Sequence, residues 1–332
     1  MQVAGVAGDS FVYWLSHASP SELIIQKYCS DSRRAPRCYS IQYNDLLALL
    51  CGVKKVLYAP IVRQHLPAFK ILCAELHLQV EVLCEIKNMC GETSTDLLIG
   101  WDKRKLAAGR KAYKDILSYE WGVALGYSEC CVKSYILWKK QPRLDLVRHI
   151  LANSGKGALF DFRLNNVFNY FSRLNNPFSR PEARTGAARD FGDLLRMKAF
   201  SLRNKSVDCE AILPWHPCSY DCRGSAKHGR ILFSFMERYM PRTAANRRRI
   251  LSRSILFRDK FDYAALAGGC EVEKGIFTVR YDGIAAPLAF IGKAQKELLR
   301  SHEILRCGSE KPSVFPSGEQ LPADYLLLPF AG

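Results

Sequence analysis

A short segment, Pro214-Trp215-His216-Pro217-Cys218-Ser219-Tyr220-Asp221-Cys222, carries the residues best suited to chemistry. Pro217 suits the first turn of a helix, so the spacing predicts Cys218 and Cys222 on one helical face, one turn apart. His216 precedes that turn, where its imidazole is placed to close on the same point. A helix N-terminus favours the thiolates that a metal ion requires. The segment therefore predicts three ligands of a metal site.

A pair of adjacent cysteines forms the second candidate. Cys130 and Cys131 follow Gly126-Tyr127 at a predicted helix start. Neighbouring side chains of a helix point in different directions, so we expect one thiol to reach a site and the other to pack in the core. The alternative is two core thiols. With the three ligands of the first segment, one of these thiols completes a set that suits zinc or an iron–sulfur cluster rather than magnesium or calcium.

Three motifs together resemble a known family. They are Gly126-Tyr127-x-x-Cys130-Cys131, Leu164-Asn165-x-x-x-Asn169 and His216-x-Cys218-Ser219-x-x-Cys222-x-x-Ser225. Over about residues 120–235 the chain resembles an uncharacterised prokaryotic family, the domain of unknown function 483, although Ser128 stands where that family usually has proline. The resemblance implies that the two cysteine motifs belong to one site. The family carries no assigned activity.

Polar residues near the cysteines are candidates for substrate chemistry. Asp221 and Glu129 are the carboxylates nearest to the thiols in sequence, which makes them the candidates for proton transfer. Asn165 and Asn169 are four residues apart on a helix predicted over residues 158–174. We expect their amides to line a pocket beside the cysteines and to contact a substrate. The alternative is an exposed flank of an ordinary amphipathic helix.

A basic segment, residues 242–260, follows the cysteines. A helix predicted over residues 245–254 places Arg249 and Arg253 on one face, and such a positive ridge suits phosphate contacts. A solvated helix face is the alternative. The whole chain shares this bias, because 48 Lys and Arg against 32 Asp and Glu give a net charge of +16. The excess attracts an anionic small molecule or RNA through its long-range field.

Composition limits the class of protein. The 332 residues are 48% hydrophobic and 24% charged, which excludes intrinsic disorder as a description of the whole chain. The start lacks the layout of a secretory signal, and no window approaches the roughly 18 to 20 apolar residues of a membrane span. We therefore expect a cytoplasmic protein, no membrane partner and reduced cysteines. Neither GxGxxG nor GxxxxGK(S/T) occurs, so the two commonest nucleotide-binding fingerprints are absent.

The hydrophobic pattern divides the chain into three segments and predicts a mixed α+β fold. From about residue 42 to 118 strands and helices alternate, which implies that residues 1–118 form a small α/β domain with parallel strands. Residues 119–240 form a mostly helical region that carries the cysteine motifs, with a clear helix over residues 121–139. Residues 241–332 combine the basic helix with strands that pack on the central region.

Within the last segment the pattern gives finer predictions. Asp282-Gly283 is a good hairpin turn between two strands, of which the second covers residues 287–291. A helix is predicted over residues 293–305. The apolar tail, residues 325–330, is expected to add a strand to a sheet.

Three functions are compatible with these features. The first is a metal- or iron–sulfur-dependent enzyme with an anionic substrate, because three fixed ligands leave a position for substrate or water. The second is a zinc-stabilised module that binds nucleic acid with its basic surface. The third is a metal-free enzyme with a thiolate nucleophile, His216 as its base and Asp221 as the group that orients the base.

Overall fold

The computed structural model describes residues 43–63, 66–87, 93–115, 118–140, 145–155, 159–167, 211–259, 262–273, 276–285, 303–307, 313–315, 319–320 and 325–332. Helices and sheets both occur, which confirms the mixed α+β class. The chain forms two compact units. Residues 1–139, 213–215 and 230–244 belong to the first unit, and residues 140–212, 216–229 and 245–332 to the second.

The first unit is built on a three-stranded sheet. Its elements are α1 (Tyr43–Leu50), β1 (Leu57–Val62), α2 (Leu66–Glu75), β2 (Gln79–Lys87), β3 (Thr93–Gly100), α3 (Lys103–Ala112), α4 (Tyr119–Ala124) and α5 (Glu129–Lys140). β3 lies between β1 and β2 and is antiparallel to both, so the predicted parallel arrangement is wrong. β1 and β2 do run in the same direction, as a connection through a helix allows. However, β3 follows β2 after a short connection, which reverses the chain, and it separates the two.

β3 is central to this unit because most of its residues are buried on both faces of the sheet. Leu97 and Ile99 pack in one core cluster with residues of α1 and α2. Leu98, between them, points to the opposite face and packs with Leu106 of α3 and Trp121 of α4. Burial of each large apolar side chain contributes about 1.5–3 kcal/mol. α3 and α4 are thereby fixed to the sheet.

The remaining elements lead into a larger sheet. They are α6 (Leu146–Ala152), β4 (Phe160–Asp161), a 3₁₀ helix (Phe162–Leu164), α7 (Arg223–Tyr239), α8 (Pro241–Leu251), β5 (Ser254–Asp259), β6 (Asp262–Glu273), β7 (Ile276–Ala285), β8 (Glu303–Cys307), β9 (Ser313–Phe315), β10 (Glu319–Gln320), β11 (Leu326–Leu328) and β12 (Phe330–Ala331). Seven strands of the second unit form a sheet in the order β10-β9-β8-β7-β6-β5-β11, and β12 pairs with β4. Leu256, Leu266, Phe277 and Leu327 lie in the core of this unit.

The predicted hairpin turn at Asp282-Gly283 is wrong, because both residues lie within β7. Pairing with β6 passes from Tyr281 opposite Gly268 to Gly283 opposite Ala267. Asp282 is therefore the extra residue of a β-bulge. The Asp-Gly pair marks an irregularity in a long strand rather than its end.

Two other predictions concern the end of the chain. The predicted strand over residues 325–330 is confirmed, since Leu326–Leu328 adds to the sheet by pairing with β5. The predicted helix over residues 293–305 is wrong for residues 303–305, which belong to β8. Residues 293–302 and the predicted strand over residues 287–291 lie outside the described residues.

The basic helix differs from its prediction at both ends, since it covers Pro241–Leu251 rather than residues 245–254. The basic helix begins at Pro241, earlier than predicted, because proline suits a first helical turn. The longest described helix, α7, has 17 residues. None of the described helices combines the length and apolar character needed to cross a membrane.

Candidate metal centre

Gly126 sets the start of the helix that carries the first cysteine pair. The helix predicted over residues 121–139 is two helices, because Gly126 has a φ of +83° and ends α4. This left-handed conformation favours glycine. A Cβ atom on Gly126 would also lie 3.2 Å from the Cα of Lys54, so the backbone approach leaves little room for a side chain. The chain then turns and begins α5 at Glu129.

Tyr127 fixes this turn through its ring. The Nζ atom of Lys54 lies 4.7 Å from the ring centroid, a cation–π contact. The ring of Trp215 lies 5.5 Å from the same ring, centroid to centroid. Trp215 is buried and directly precedes His216 in the sequence. The Gly-Tyr pair is thus a positioning element rather than a ligand.

Cys130 and Cys131 lie in the first turn of α5. The backbone N–H of Cys131 donates to the carbonyl of Ser128 at 2.9 Å. Cys131 is buried and Cys130 is exposed. Even so, their sulfur atoms are only 3.9 Å apart, because rotation about χ1 can bring neighbouring side chains together. The expectation that only one of the two thiols reaches a site is therefore wrong.

The second cysteine pair lies before a helix and not within one. No helix covers residues 217–222, and α7 begins at Arg223. Cys222 therefore takes the position of a helix cap, where its Sγ atom accepts the backbone N–H of Ser225 at 3.5 Å. The predicted helical pairing of Cys218 with Cys222 is wrong, although both thiols still face one point.

Hydrogen bonds to residues 153–155 explain why residues 217–222 are not helical. The carbonyl of Cys218 accepts from Nδ2 of Asn153 at 3.3 Å, and the N–H of Tyr220 donates to Oγ of Ser154 at 2.8 Å. Asp221 accepts the N–H of Gly155 at 2.8 Å and the hydroxyl of Ser219. These bonds take the backbone groups that a helix would use.

The four sulfur atoms of Cys130, Cys131, Cys218 and Cys222, here called the thiol cluster, all lie within 4.8 Å of one another. With Zn–S bonds of about 2.3 Å, the sulfurs of a tetrahedral site lie about 3.8 Å apart. The thiol cluster needs only a small contraction to reach that geometry. It could therefore hold a metal ion. An iron–sulfur cluster distributes its cysteines over several iron atoms and separates some of the sulfurs further.

His216 is not a member of the thiol cluster. It is buried, and its Nδ1 lies 2.7 Å from Nδ2 of Asn166. Because the amide donates, Nδ1 accepts and a neutral ring carries its proton on Nε2. The structure thus pairs His216 with a buried amide that sequence reasoning did not single out. Asn166 lies next to the predicted Asn165, and nothing in the pattern distinguished it.

The side chain of Asn165 forms hydrogen bonds to backbone groups of the protein. Asn165 follows the 3₁₀ helix rather than lying in the helix predicted over residues 158–174. Its side chain is fully buried, with Nδ2 donating to the carbonyl of Leu251 at 2.8 Å and Oδ1 accepting the N–H of Val167 at 3.3 Å. This side chain joins two backbone segments. Asn169 lies outside the described residues.

The two predicted proton-transfer residues also have local partners. Oδ1 of Asp221 accepts the hydroxyl of Ser219, and Oδ2 accepts the N–H of Gly155. Glu129 Oε2 accepts the hydroxyl of Tyr119 at 2.7 Å, and this hydrogen bond raises the pKa of that tyrosine. The roles of Asp221 and Glu129 in proton transfer stay predictions.

Fewer arginines share one exposed helical face than the predicted basic ridge requires. Arg249 is on α8 and donates to Oδ1 of Asn246 at 2.8 Å, but Arg253 follows the end of the helix at Leu251, so the two do not share a helical face. Arg247 is buried and donates to the carbonyl of Ala211 at 2.7 Å. A phosphate-binding role for Arg249 and Arg253 stays a prediction.

Three of the other described cysteines, Cys51, Cys73 and Cys270, suit a core rather than a site. Burial raises the pKa of Cys51 to about 11 and that of Cys73 to about 12. The pKa of Cys270 is likewise raised by burial to about 11. These thiols stay protonated at neutral pH and are poor ligands, because metals bind the thiolate.

Gly122 allows α4 and α5 to approach each other closely. A Cβ atom on Gly122 would lie 2.7 and 2.8 Å from the two methyl carbons of Val132. A helical Gly→Ala change normally stabilises by up to about 1 kcal/mol. We expect Gly122→Ala to destabilise instead, by about 1–3 kcal/mol, because of overpacking.

Urea denaturation measures this change, and Gly122→Ala/Val132→Ala is the matched control. Removing both methyl groups of Val132 makes room, so the double variant should be more stable than the sum of the two single changes. Stabilisation by Gly122→Ala alone would contradict the close approach of the two helices.

None of the known protein-family models, curated proteins or solved structures matches this chain.

Proposed function

We propose that this protein is a zinc-stabilised binding module for an anionic partner. The observation that carries the proposal is the approach of four thiols to within 4.8 Å of one another. Four thiolates complete the tetrahedral coordination of zinc, and such a closed set is typical of structural sites. The net charge of +16 supports an anionic partner.

The hydrogen-bond donors near the thiols support a charged centre. Four thiolates and one Zn²⁺ carry a net charge of −2, which nearby donors stabilise. The N–H of Ser225 already donates to Cys222. Cys130 and Cys131 lie in the first turn of α5, where the helix dipole favours negative charge. A reducing cytoplasm would keep all four thiols available for the metal.

The exposure of Cys130 supports a second candidate function, a metal-dependent enzyme. If this ligand exchanges with solvent, water or an anionic substrate takes its place on the metal. Asp221 and Glu129 then serve as candidates for proton transfer. This alternative requires a metal that stays bound by the other three thiolates.

Elemental analysis of protein purified without oxygen tests the proposal. We expect one zinc ion per chain, and little zinc in Cys218→Ser, because serine is a poor ligand for this metal. Cys51→Ser, outside the thiol cluster, should keep its full zinc content.

Two outcomes would contradict this expectation. Iron with inorganic sulfide and a broad absorption band near about 400 nm would show that the cysteines hold an iron–sulfur cluster and not zinc. Wild-type protein without metal, grown with both zinc and iron, would overturn the proposal and favour the thiolate-nucleophile enzyme.

A further inference from the structure

α3 carries the densest group of exposed positive charges among the described residues. Its sequence is KRKLAAGRKA, with no acidic residue. Leu106 and Gly109 are buried against the sheet, which turns the basic side chains outward. The exposed cations of α3 are Lys103, Arg104, Lys105, Arg110 and Lys111.

Helical geometry arranges these cations in rows. At 100° per residue, Lys103 and Arg110 lie in one row and Arg104 and Lys111 in the next, with about 10.5 Å along the axis between the members of each row. Lys105 lies on the flank. Ala107 lies between the two rows, and Ala108 lies between the second row and Lys105. Both alanines are exposed, and their short side chains leave the neighbouring cations accessible.

Most of these cations have no acidic partner among the described residues. Arg110 alone is paired, with Glu81 at 2.6 Å. The N-cap residue Asp102 uses its carboxylate to accept the N–H groups of Arg104 and Lys105. We call the other four, Lys103, Arg104, Lys105 and Lys111, the α3 cationic face.

The position of these charges works against helix stability. Lys103, Arg104 and Lys105 occupy the first turn, where the helix dipole already places partial positive charge. Each such cation costs about 0.3–1 kcal/mol compared with a favourable placement. An anion on this face removes the repulsion. The arrangement is therefore expected of a surface that binds an anionic partner.

We propose that the α3 cationic face binds the phosphate backbone of a nucleic-acid duplex. This inference deepens the proposed function by naming the partner and the surface. Phosphate contacts by Lys and Arg supply sequence-independent affinity. No large apolar residue is exposed on α3, whereas a helix that lies in a membrane interface presents an apolar face to it. No aromatic residue lies on α3 for the base stacking that single strands need.

Fluorescence anisotropy with a labelled 24-base-pair duplex tests the inference, with RNA and DNA of one sequence in separate arms. The test variant is Lys103→Gln/Arg104→Gln/Lys105→Gln/Lys111→Gln. The control is Lys70→Gln/Lys140→Gln/Arg230→Gln/Arg242→Gln, which removes four exposed cations from other helices. Both variants have a net charge of 16 − 4 = +12, so only the location of the charges differs.

We expect the test variant to bind at least about 100-fold more weakly than wild type at low salt. The slope of log K against log salt concentration should become shallower by about one for each removed cation. The control should stay within about threefold of wild type. Equal weakening of both variants would show an effect of net charge alone and would overturn the inference. Wild-type binding to vesicles of anionic lipid but not to duplex would also overturn it.

Zinc content, measured on the same samples, separates this inference from the zinc site. Zinc-loaded protein that does not bind duplex would overturn the role of α3 and leave the zinc site supported. Metal-free protein whose duplex binding depends on the α3 cationic face would support this inference and overturn the zinc site.

Discussion

Cys222→Ser is expected to lose the metal ion and to lower the free energy of unfolding by at least about 3 kcal/mol. Cys222 is buried, caps α7 and belongs to the thiol cluster. A metal that binds only the folded chain stabilises it by about 4 kcal/mol at a thousand times its dissociation constant. The hydroxyl oxygen of serine can replace the sulfur as the capping acceptor, but serine forfeits this contribution because it is a poor zinc ligand.

Guanidinium denaturation with and without added zinc measures the loss, together with the metal content. Cys51→Ser is the matched control, since Cys51 is a described cysteine outside the thiol cluster. Zinc should stabilise wild type and the control but not Cys222→Ser. A Cys222→Ser protein with full metal content and unchanged stability would contradict a structural site.

Cys130→Ser separates the two candidate functions. In a structural site its loss resembles that of Cys222, because four ligands are all required. In an enzyme with an exchangeable fourth position, the exposed Cys130 is dispensable for folding, so the variant should keep its zinc and its stability. The comparison of these two variants therefore decides between module and enzyme.

The sequence was sufficient to identify the four cysteines but not the geometry that unites them. Thiol chemistry and the short spacings singled out Cys130, Cys131, Cys218 and Cys222. The helical pairing of Cys218 with Cys222 failed because residues 153–155, far away in the chain, bond to that segment. Such long-range partners leave no local signal.

The contrast between local signals and long-range partners also explains which features of the fold could be predicted. The hydrophobic pattern predicted the alternation of strands and helices in the first segment, but strand direction depends on pairing, and β3 inserts between β1 and β2. His216 was an appropriate ligand by type, yet it pairs with Asn166. The turn preference of Asp282-Gly283 was overridden by the pairing of β6 and β7, which extends through both residues. Local propensity identified the secondary-structure segments. Tertiary contacts determined the strand directions, the partner of His216 and the conformation at Asp282-Gly283.

Lys54→Met is expected to lower the free energy of unfolding by about 3 kcal/mol, because it removes one partner of a buried ion pair. Lys54 is 1% exposed and its Nζ atom lies 2.6 Å from Oδ1 of Asp45, which is 15% exposed. Burial alone lowers the pKa of Lys54, but the attraction of Asp45 and the contact with Tyr127 outweigh it and raise the pKa. Methionine fills the space of the lysine stem and leaves the Asp45 carboxylate without its cation.

The pH dependence of stability follows from the sign of this shift. A raised pKa in the folded protein means that the stabilisation by Lys54 is complete below the ordinary lysine value, about 10.4, and is lost as pH rises through the raised value. The difference between wild type and Lys54→Met in urea denaturation should therefore be constant from about pH 6 to 9 and shrink only in stronger base.

Two controls separate the ion pair from the contact with Tyr127. Lys55→Met removes an exposed neighbouring lysine and should change stability by less than about 0.5 kcal/mol. Asp45→Asn/Lys54→Met should recover most of the loss, because no charge is left unpaired. If the double variant is as unstable as Lys54→Met, the essential partner is the ring of Tyr127. In that case zinc content should fall with stability, since Tyr127 fixes the turn before Cys130 and Cys131.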